Sequence, residues 1–244
     1  DSIGVTGAPA LGNTSTTTLT LDGTVYKTTG AQVYTATAGD NIDITNASNA
    51  AFTTTNTAIT FGTANIELAD GVDLTLDSGA GAGDITLVSI DGHSSEAVTI
   101  DAGTGTTSVG AIGAGTEIGA VTIGSDENGA IALNGAITTT GAVSLDGPVS
   151  LATGAITVDS SAGNGAIDFL HTIDGAQNLT LSSGSGAVDV NGIIGSTTAI
   201  GTLTVNASGT GTIAIEQIGD GNPASGSLGA TIGNTGTTSV TFDG

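Results

Sequence analysis

One apolar–threonine–apolar triplet recurs along the chain at nearly constant intervals, and it restricts the possible folds more than any other feature. The triplets begin at Leu74, Val98, Val121, Ile156, Leu179 and Leu203. Most steps are 23 or 24 residues, and the step from Val121 to Ile156 is 35. A second apolar pair and a single apolar residue follow each triplet, which indicates three short strands and three corners per unit.

Three strands of about four residues cannot bury a face alone, but coils stacked on one another can. The repeat therefore predicts an all-β fold, a right-handed parallel β-helix (β-solenoid) with three short strands per coil of roughly 23 residues. A longer period of about 82 residues is also present, as between Leu74 and Ile156. It predicts a regular solenoid with an 82-residue super-repeat over 59–244, after a less regular β-repeat region over 1–58. The strand phase near 143–155 stays open.

The composition agrees with strands and corners and excludes several function classes. Of the 244 residues, 41 are Gly, and a hydrophobic fraction of 38% is too high for a solvated coil. The 23 acidic residues face one basic residue, Lys27, and give a net charge of −22. Nucleic-acid binding needs clustered basic side chains and is excluded on this ground. The chain has no run of 18 apolar residues, so we expect no membrane span.

Four segments combine alternating apolar residues with Gly-rich turns: 25–34 (VYKTTGAQVY), 165–169 (GAIDF), 173–181 (IDGAQNLTL) and 192–195 (GIIG). These segments resemble the β-strand repeats of very large bacterial exoproteins of the filamentous-haemagglutinin-like adhesin type. The resemblance implies an extracellular right-handed β-helix in a fibre that is adhesive or matrix-forming. Its motifs specify a fold and a style of secretion rather than a site.

Strand alternation places the middle residue of each triplet outward, which predicts a ladder of hydroxyl groups along one face. Its members are Thr75, Thr99, Thr122, Thr157, Thr180 and Thr204. Such a ladder could bind a glycan, another surface or ice. Alternatively, threonine is simply a favourable polar residue for an exposed strand.

Acidic residues often follow the triplets and form the candidate metal ligands, with calcium as the possible ion. The candidates are Asp77, Asp101, Asp146 and Asp159. Stacked carboxylates repel one another unless a hard cation lies between them. Alternatively, these side chains cap the turns that they begin, and no cofactor is required.

Catalysis is not expected from this pattern, so the chain is predicted not to be an enzyme. His93 and His171 lie near Asp91 and Asp174, but no nucleophile turn accompanies them. A residue that recurs in every coil serves the coil rather than a single active site.

These observations predict a structural protein that is secreted, extracellular or on the cell surface. The chain would be a subunit or segment of a matrix filament or adhesin stalk, assembling end to end through its solenoid ends into a homo-oligomer or filament. The alternative function is an adhesive module that uses the outward threonines, with surface glycans as possible partners.

Overall fold

The chain folds into a β-solenoid in which all described strands are parallel and join one 26-stranded sheet. The computed structural model describes residues 3–4, 11–12, 17–46, 49–93, 95–124, 129–219, 229–232 and 239–242. Successive strands of one stack lie about 24 residues apart in sequence. The predicted parallel β-solenoid is confirmed, and connections between parallel strands of one sheet are almost always right-handed.

The strands form three stacks, which we call wall A, wall B and wall C in the order in which the chain visits them. The strands confined to wall A are β1 (Ile3–Gly4), β4 (Val25–Lys27), β7 (Ala50–Thr53), β9 (Leu74–Asp77), β11 (Ala97–Asp101), β13 (Ala120–Gly124), β16 (Val143–Asp146), β19 (Ile167–Phe169) and β26 (Ser239–Phe242). Those confined to wall B are β2 (Leu11–Gly12), β5 (Gln32–Thr35), β14 (Ile131–Leu133), β17 (Val149–Leu151) and β20 (Ile173–Asp174). Those confined to wall C are β3 (Leu19–Leu21), β6 (Asn41–Ile44), β15 (Ile137–Thr138), β18 (Ile156–Asp159), β21 (Leu179–Gly184), β23 (Thr202–Ala207) and β25 (Gly229–Ile232).

Five strands continue around a corner and contribute to two walls. The strands shared by walls B and C are β8 (Ile59–Leu68), β10 (Ile85–Asp91) and β12 (Thr107–Ile112). The strands shared by walls A and B are β22 (Val188–Ile194) and β24 (Thr212–Ile218). No helix long and apolar enough to cross a membrane occurs among the described residues.

The core is a set of stacked aliphatic and aromatic side chains, because alternate residues of each strand point into the coil. On wall A, Phe52, Leu76 and Ile100 occupy successive register positions and are fully buried. In the coils near the N-terminus, aromatic side chains occupy many of the inward positions. Tyr26 stacks on Phe52 with centroids 4.4 Å apart, and Tyr34 stacks on Phe61 at 4.8 Å. Each ladder removes apolar surface from water along the whole rod.

The open question of strand phase near 143–155 is resolved by the register. Val121 pairs with Val143 on wall A, whereas Ile156 pairs with Leu179 on wall C. The triplets up to Val121 and those from Ile156 onward therefore stand on different walls. The recurrence suggests that all six triplets form one continuous stack, and this expectation is wrong.

The 82-residue block explains this change of wall. From Leu74 the chain completes three coils to reach Val143, still on wall A. It then passes through β17 on wall B and reaches Ile156 on wall C. One block thus spans three and two-thirds coils, so the same sequence position moves by one wall in the next block.

The strands on both sides of residue 58 belong to the same sheet, since β5 pairs with β8. The division into two regions at this residue stays a prediction.

Candidate functional site

The six candidate threonines form two short ladders rather than one. Thr75, Thr99 and Thr122 are register partners on wall A. Thr157, Thr180 and Thr204 are register partners on wall C. The expectation of a single face is therefore wrong, because the triplets change wall between Val121 and Ile156. Whether either ladder binds a ligand stays a prediction.

The wall A ladder continues beyond Thr122 and changes character along the rod. Its next outward residue is Ser144, followed by Asp168 and Asp189. Thr99 and Thr122 are exposed and Thr75 is half-buried. The hydroxyl part of this wall therefore covers four coils and ends at a pair of stacked acids.

The four candidate calcium ligands do not converge. Asp77 and Asp101 are neighbours on wall A, but Gly124 separates Asp101 from Asp146 in the same stack. Asp159 lies on wall C. Among the residues that the structure describes, no three His, Cys, Asp or Glu side chains are grouped so that they could hold a metal ion.

Three of these carboxylates cap their own turns, as the alternative interpretation predicts. Asp77 Oδ1 accepts a hydrogen bond from the Gly79 amide at 2.7 Å, and Asp101 Oδ1 accepts one from the Gly103 amide at 2.8 Å. Asp159 Oδ1 accepts from the amide and hydroxyl of Ser161 at 2.9 Å and 2.6 Å. These bonds give the aspartates a structural role in shaping corners.

The fourth candidate, Asp146, pairs with a histidine from the following coil. His171 Nε2 lies 3.1 Å from Asp146 Oδ1 across the wall. Among the described residues, no serine hydroxyl is hydrogen-bonded to this imidazole, and the chain has no cysteine. The pair links two coils, and the absence of catalysis stays a prediction.

A second group of side-chain carboxylates and amides clamps several coils to the next one. Asp91 Oδ1 accepts from the Gly115 amide at 2.7 Å. Asp174 Oδ1 accepts from the Thr197 and Thr198 amides at 2.7 and 2.9 Å. The other clamps are Asp73 with Ala97, Asp84 with Thr106, Asn56 with Gly81 and Asn164 with Ser185. Every clamp joins positions one coil apart, so these acids hold the stack together.

Glu96 is the most buried of these clamps and was missed by the sequence interpretation. Its carboxylate is shielded from solvent and accepts from the amides of Gly71 at 2.9 Å and His93 at 2.6 Å. The Ser95 hydroxyl donates a further bond at 3.0 Å. Burial alone would raise the pKa of Glu96, but these donors stabilise the charged form and lower the pKa to about 2. A glutamate one residue before a strand gives no distinctive pattern, so only the fold exposes its role.

In two ladders along the rod, stacked acids repel one another and so oppose the stacking of coils. On wall C, Asp43, Glu67 and Asp91 are register partners in three successive coils. Burial and the neighbouring Asp91 raise the pKa of Glu67, while His93 opposes the shift. On wall A, burial and the stacked Asp189 raise the pKa of Asp168. Like charges at one strand spacing repel, so these ladders cost stability at neutral pH.

The comparisons with known proteins leave the geometry as the basis for any functional conclusion. No protein-family model matches the chain, and no curated protein or solved structure is significantly similar to it. The resemblance to filamentous-haemagglutinin-like adhesins therefore stays a prediction, and the β-solenoid is what the chain is shown to be.

Proposed function

We propose that this chain is a structural segment of a secreted or cell-surface fibre that lengthens by end-to-end stacking of β-solenoids. The observation that carries the proposal is the single parallel sheet, which runs through every described coil along the rod. Main-chain hydrogen bonds of a solenoid lie parallel to the long axis, so the ladders carry tension.

The strands at both limits of the sheet support stacking. β1 pairs only with β4, and β26 pairs only with β24, within the part of the chain that the structure describes. Among the described residues no strand pairs with the other edge of β1 or β26, and an open strand edge is a template for a further strand. The next coil can come from a continuation of the repeat or from a second copy.

The clamps support a load-bearing role over a catalytic one. Within the described part of the chain, the acids form bonds between coils instead of converging on one groove, which favours a load-bearing segment without a reaction of its own. A net charge of −22 would keep neighbouring fibres soluble in the extracellular environment that the proposal requires.

Electron microscopy of the purified chain tests the proposal. Filaments as thin as one solenoid and far longer than one chain are expected, and short discrete rods at every concentration would contradict it. The variant Val240→Pro/Thr241→Pro removes two amide donors from β26 and should shorten the filaments. Circular dichroism that retains the strand signal shows that the variant still folds.

A second candidate function is an adhesive module, favoured by the in-register Thr75, Thr99 and Thr122 on wall A. Substituting Thr99→Asp and Thr122→Asp should abolish binding to a glycan array or to ice, because carboxylates replace the hydroxyl surface. The matched control is Thr180→Asp with Thr204→Asp on wall C. Equal loss in both variants, or no binding by the unmodified chain, would exclude wall A as the adhesive face.

A further inference from the structure

Wall B presents a face without charge over six coils of a strongly acidic chain. Its outward mid-strand residues are register partners, and we call them the neutral face: Val33, Thr60, Thr86, Ser108, Ala132 and Ser150. The next position along the stack is Asp174, which ends the face. The residue two positions after each of these is also uncharged, as with Val88 after Thr86 and Asn134 after Ala132.

The other two walls carry acids among their outward residues. On wall A, Asp77 and Asp101 lie two residues after the outward Thr75 and Thr99, and Asp168 takes the mid-strand position itself. Wall C has the ladder of Asp43, Glu67 and Asp91 described above. Besides Asp174, Asp84 also borders the neutral face, at the corner between walls A and B, where its carboxylate accepts from the Thr106 amide at 2.8 Å. Wall B therefore differs from its neighbours in charge rather than in fold.

The neutral face is also partly apolar. Val33 is 37% exposed, and Val88, at the register shift where β10 leaves wall B, is 48% exposed. These are two of the three large hydrophobic side chains exposed among the described residues. The remaining positions carry small side chains, and Asn134 Nδ2 donates to Ser108 Oγ at 3.1 Å between coils. Small side chains on a sheet allow a second sheet to approach closely.

The absence of charge is not a by-product of the repeat. In the next 82-residue block the positions that match Thr86 and Ser108 are occupied by Asp168 and Asp189. Both acids lie outward on wall A. The same strand pattern thus accepts carboxylates, and wall B lacks them over six consecutive coils.

From these observations we infer that the neutral face is a lateral docking surface for a second copy of this chain, with wall B packed against wall B. Each copy has a net charge of −22, so approach through walls A or C brings carboxylates together and desolvates them. Wall B against wall B keeps carboxylates out of the contact, so only the longer-range repulsion between the two copies remains. A contact of this kind is isologous, since the same residues lie on both sides.

The size of the face sets the strength of the pair. Six coils at a strand spacing of about 4.8 Å give a length of roughly 29 Å, and four residues give a width of about 13 Å. The resulting area of roughly 400 Å² per copy is about half of what a stable interface buries on each partner. Single rods would therefore pair weakly, whereas rods joined end to end add their areas. Lateral pairing goes beyond the proposed stacking, because it joins fibres side by side.

Cysteine crosslinking tests the inference, since the chain contains no cysteine. Ser108→Cys on wall B and Ser144→Cys on wall A are matched, half-buried outward positions. With a short bismaleimide, Ser108→Cys should yield at least fivefold more crosslinked dimer than Ser144→Cys. Equal yields from the two positions would overturn the inference.

Charge substitution supplies an independent measurement. Thr86→Asp with Ala132→Asp should weaken self-association at least tenfold in sedimentation. Thr180→Asp with Thr204→Asp on wall C adds the same charge and should weaken it less than twofold. Added salt should strengthen pairing of the unmodified chain, because it screens the repulsion between copies.

Monomers at all concentrations and salt levels would overturn the inference, as would binding of a neutral polysaccharide to wall B in place of a second copy. Single-file filaments without side-by-side pairs would overturn lateral pairing alone and leave end-to-end stacking intact.

Discussion

A single carboxylate at a corner of the solenoid joins two coils, because its oxygens accept from amides of the neighbouring turn. Asp91, Asp174 and Glu96 all do so. Hydrogen bonds to a charged acceptor are stronger than those between neutral groups. The acidity of the chain is therefore partly a consequence of how its corners are held.

The variant Glu96→Gln should lower the free energy of unfolding by about 2 to 3 kcal/mol, because the buried acceptor of the Gly71 and His93 amides loses its charge and one of its acceptor oxygens. Urea denaturation of the variant and the unmodified chain measures the difference. Glu216→Gln, at an exposed position on β24, is the matched control and should change little. Equal stability of both variants would contradict the role given to Glu96.

The same residue predicts a pH dependence. The pKa of Glu96 is lowered to about 2 in the folded chain, from an ordinary value of 4.5. The stabilisation by its charge is thus fully present above pH 4.5 and is lost as the pH falls toward 2. The stability gap between the unmodified chain and Glu96→Gln should close over this interval, as measured by urea midpoints at each pH.

Asp168 acts in the opposite direction, since burial and the stacked Asp189 raise its pKa. Asp168→Asn should raise the unfolding midpoint at neutral pH, because the repulsion between the two carboxylates disappears. A group with a raised pKa costs stability as the pH rises through that value, so the advantage of the variant should vanish in acid.

A double-mutant cycle controls this prediction. If repulsion is the cause, Asp168→Asn and Asp189→Asn each stabilise the chain, and together they gain less than the sum. Additive effects would show that the two side chains do not interact.

At the scale of strands, the sequence pattern predicted the elements well and their stacking only in part. Every wall demands the same inward–outward–inward alternation, so a triplet such as Ile156-Thr157-Val158 looks alike on wall A and on wall C. Strand existence and solenoid architecture could therefore be predicted. The wall could not, because it depends on how many corners lie between triplets, and the passage from Val121 to Ile156 contains β14 to β17.

The candidate site was predicted less completely for a related reason. The outward positions of Thr75 and Thr157 follow from alternation, but their separation onto two walls does not. The turn-capping role of Asp77 was one of two open interpretations, and its bond to Gly79 supports it. Clamps such as Asp91 with Gly115 join residues one coil apart, and a local pattern cannot show such a pairing.

The close stacking of coils makes some glycines irreplaceable and others not. A Cβ on Gly110 would lie 1.7 Å from the carbonyl oxygen of Val88, whereas a Cβ on Gly62 would meet Thr35 Cγ2 at 3.6 Å, an ordinary contact. Both glycines come directly after the inward residue that ends the apolar pair of wall B, Phe61 in β8 and Val109 in β12. Gly110→Ala should therefore lower the free energy of unfolding by roughly 2 kcal/mol or more, within the range for overpacking.

Gly62→Ala is the matched control and should stay within about 0.5 kcal/mol of the unmodified chain. Thermal unfolding followed by circular dichroism compares the two variants. Similar melting temperatures would mean that the coils can separate locally at no cost.

At the scale of the whole molecule, the fold is a rod whose surface is divided by charge. Walls A and C carry acid ladders, and wall B carries the neutral face from Val33 to Ser150. The two proposed contacts use different parts of this rod, since strand edges join ends and wall B joins sides. A fibre assembled in this way grows in length and in width by separate steps.

The three and two-thirds coils of each block have a consequence for the symmetry of a fibre built from such blocks. Successive blocks are related by a rotation of one-third of a turn combined with a rise of roughly 18 Å, from a coil spacing of about 4.8 Å. Three blocks, or eleven coils, bring a sequence position back to its wall after about 53 Å. Such a fibre has an approximate threefold screw axis, and it would diffract at these two spacings besides the strand spacing itself.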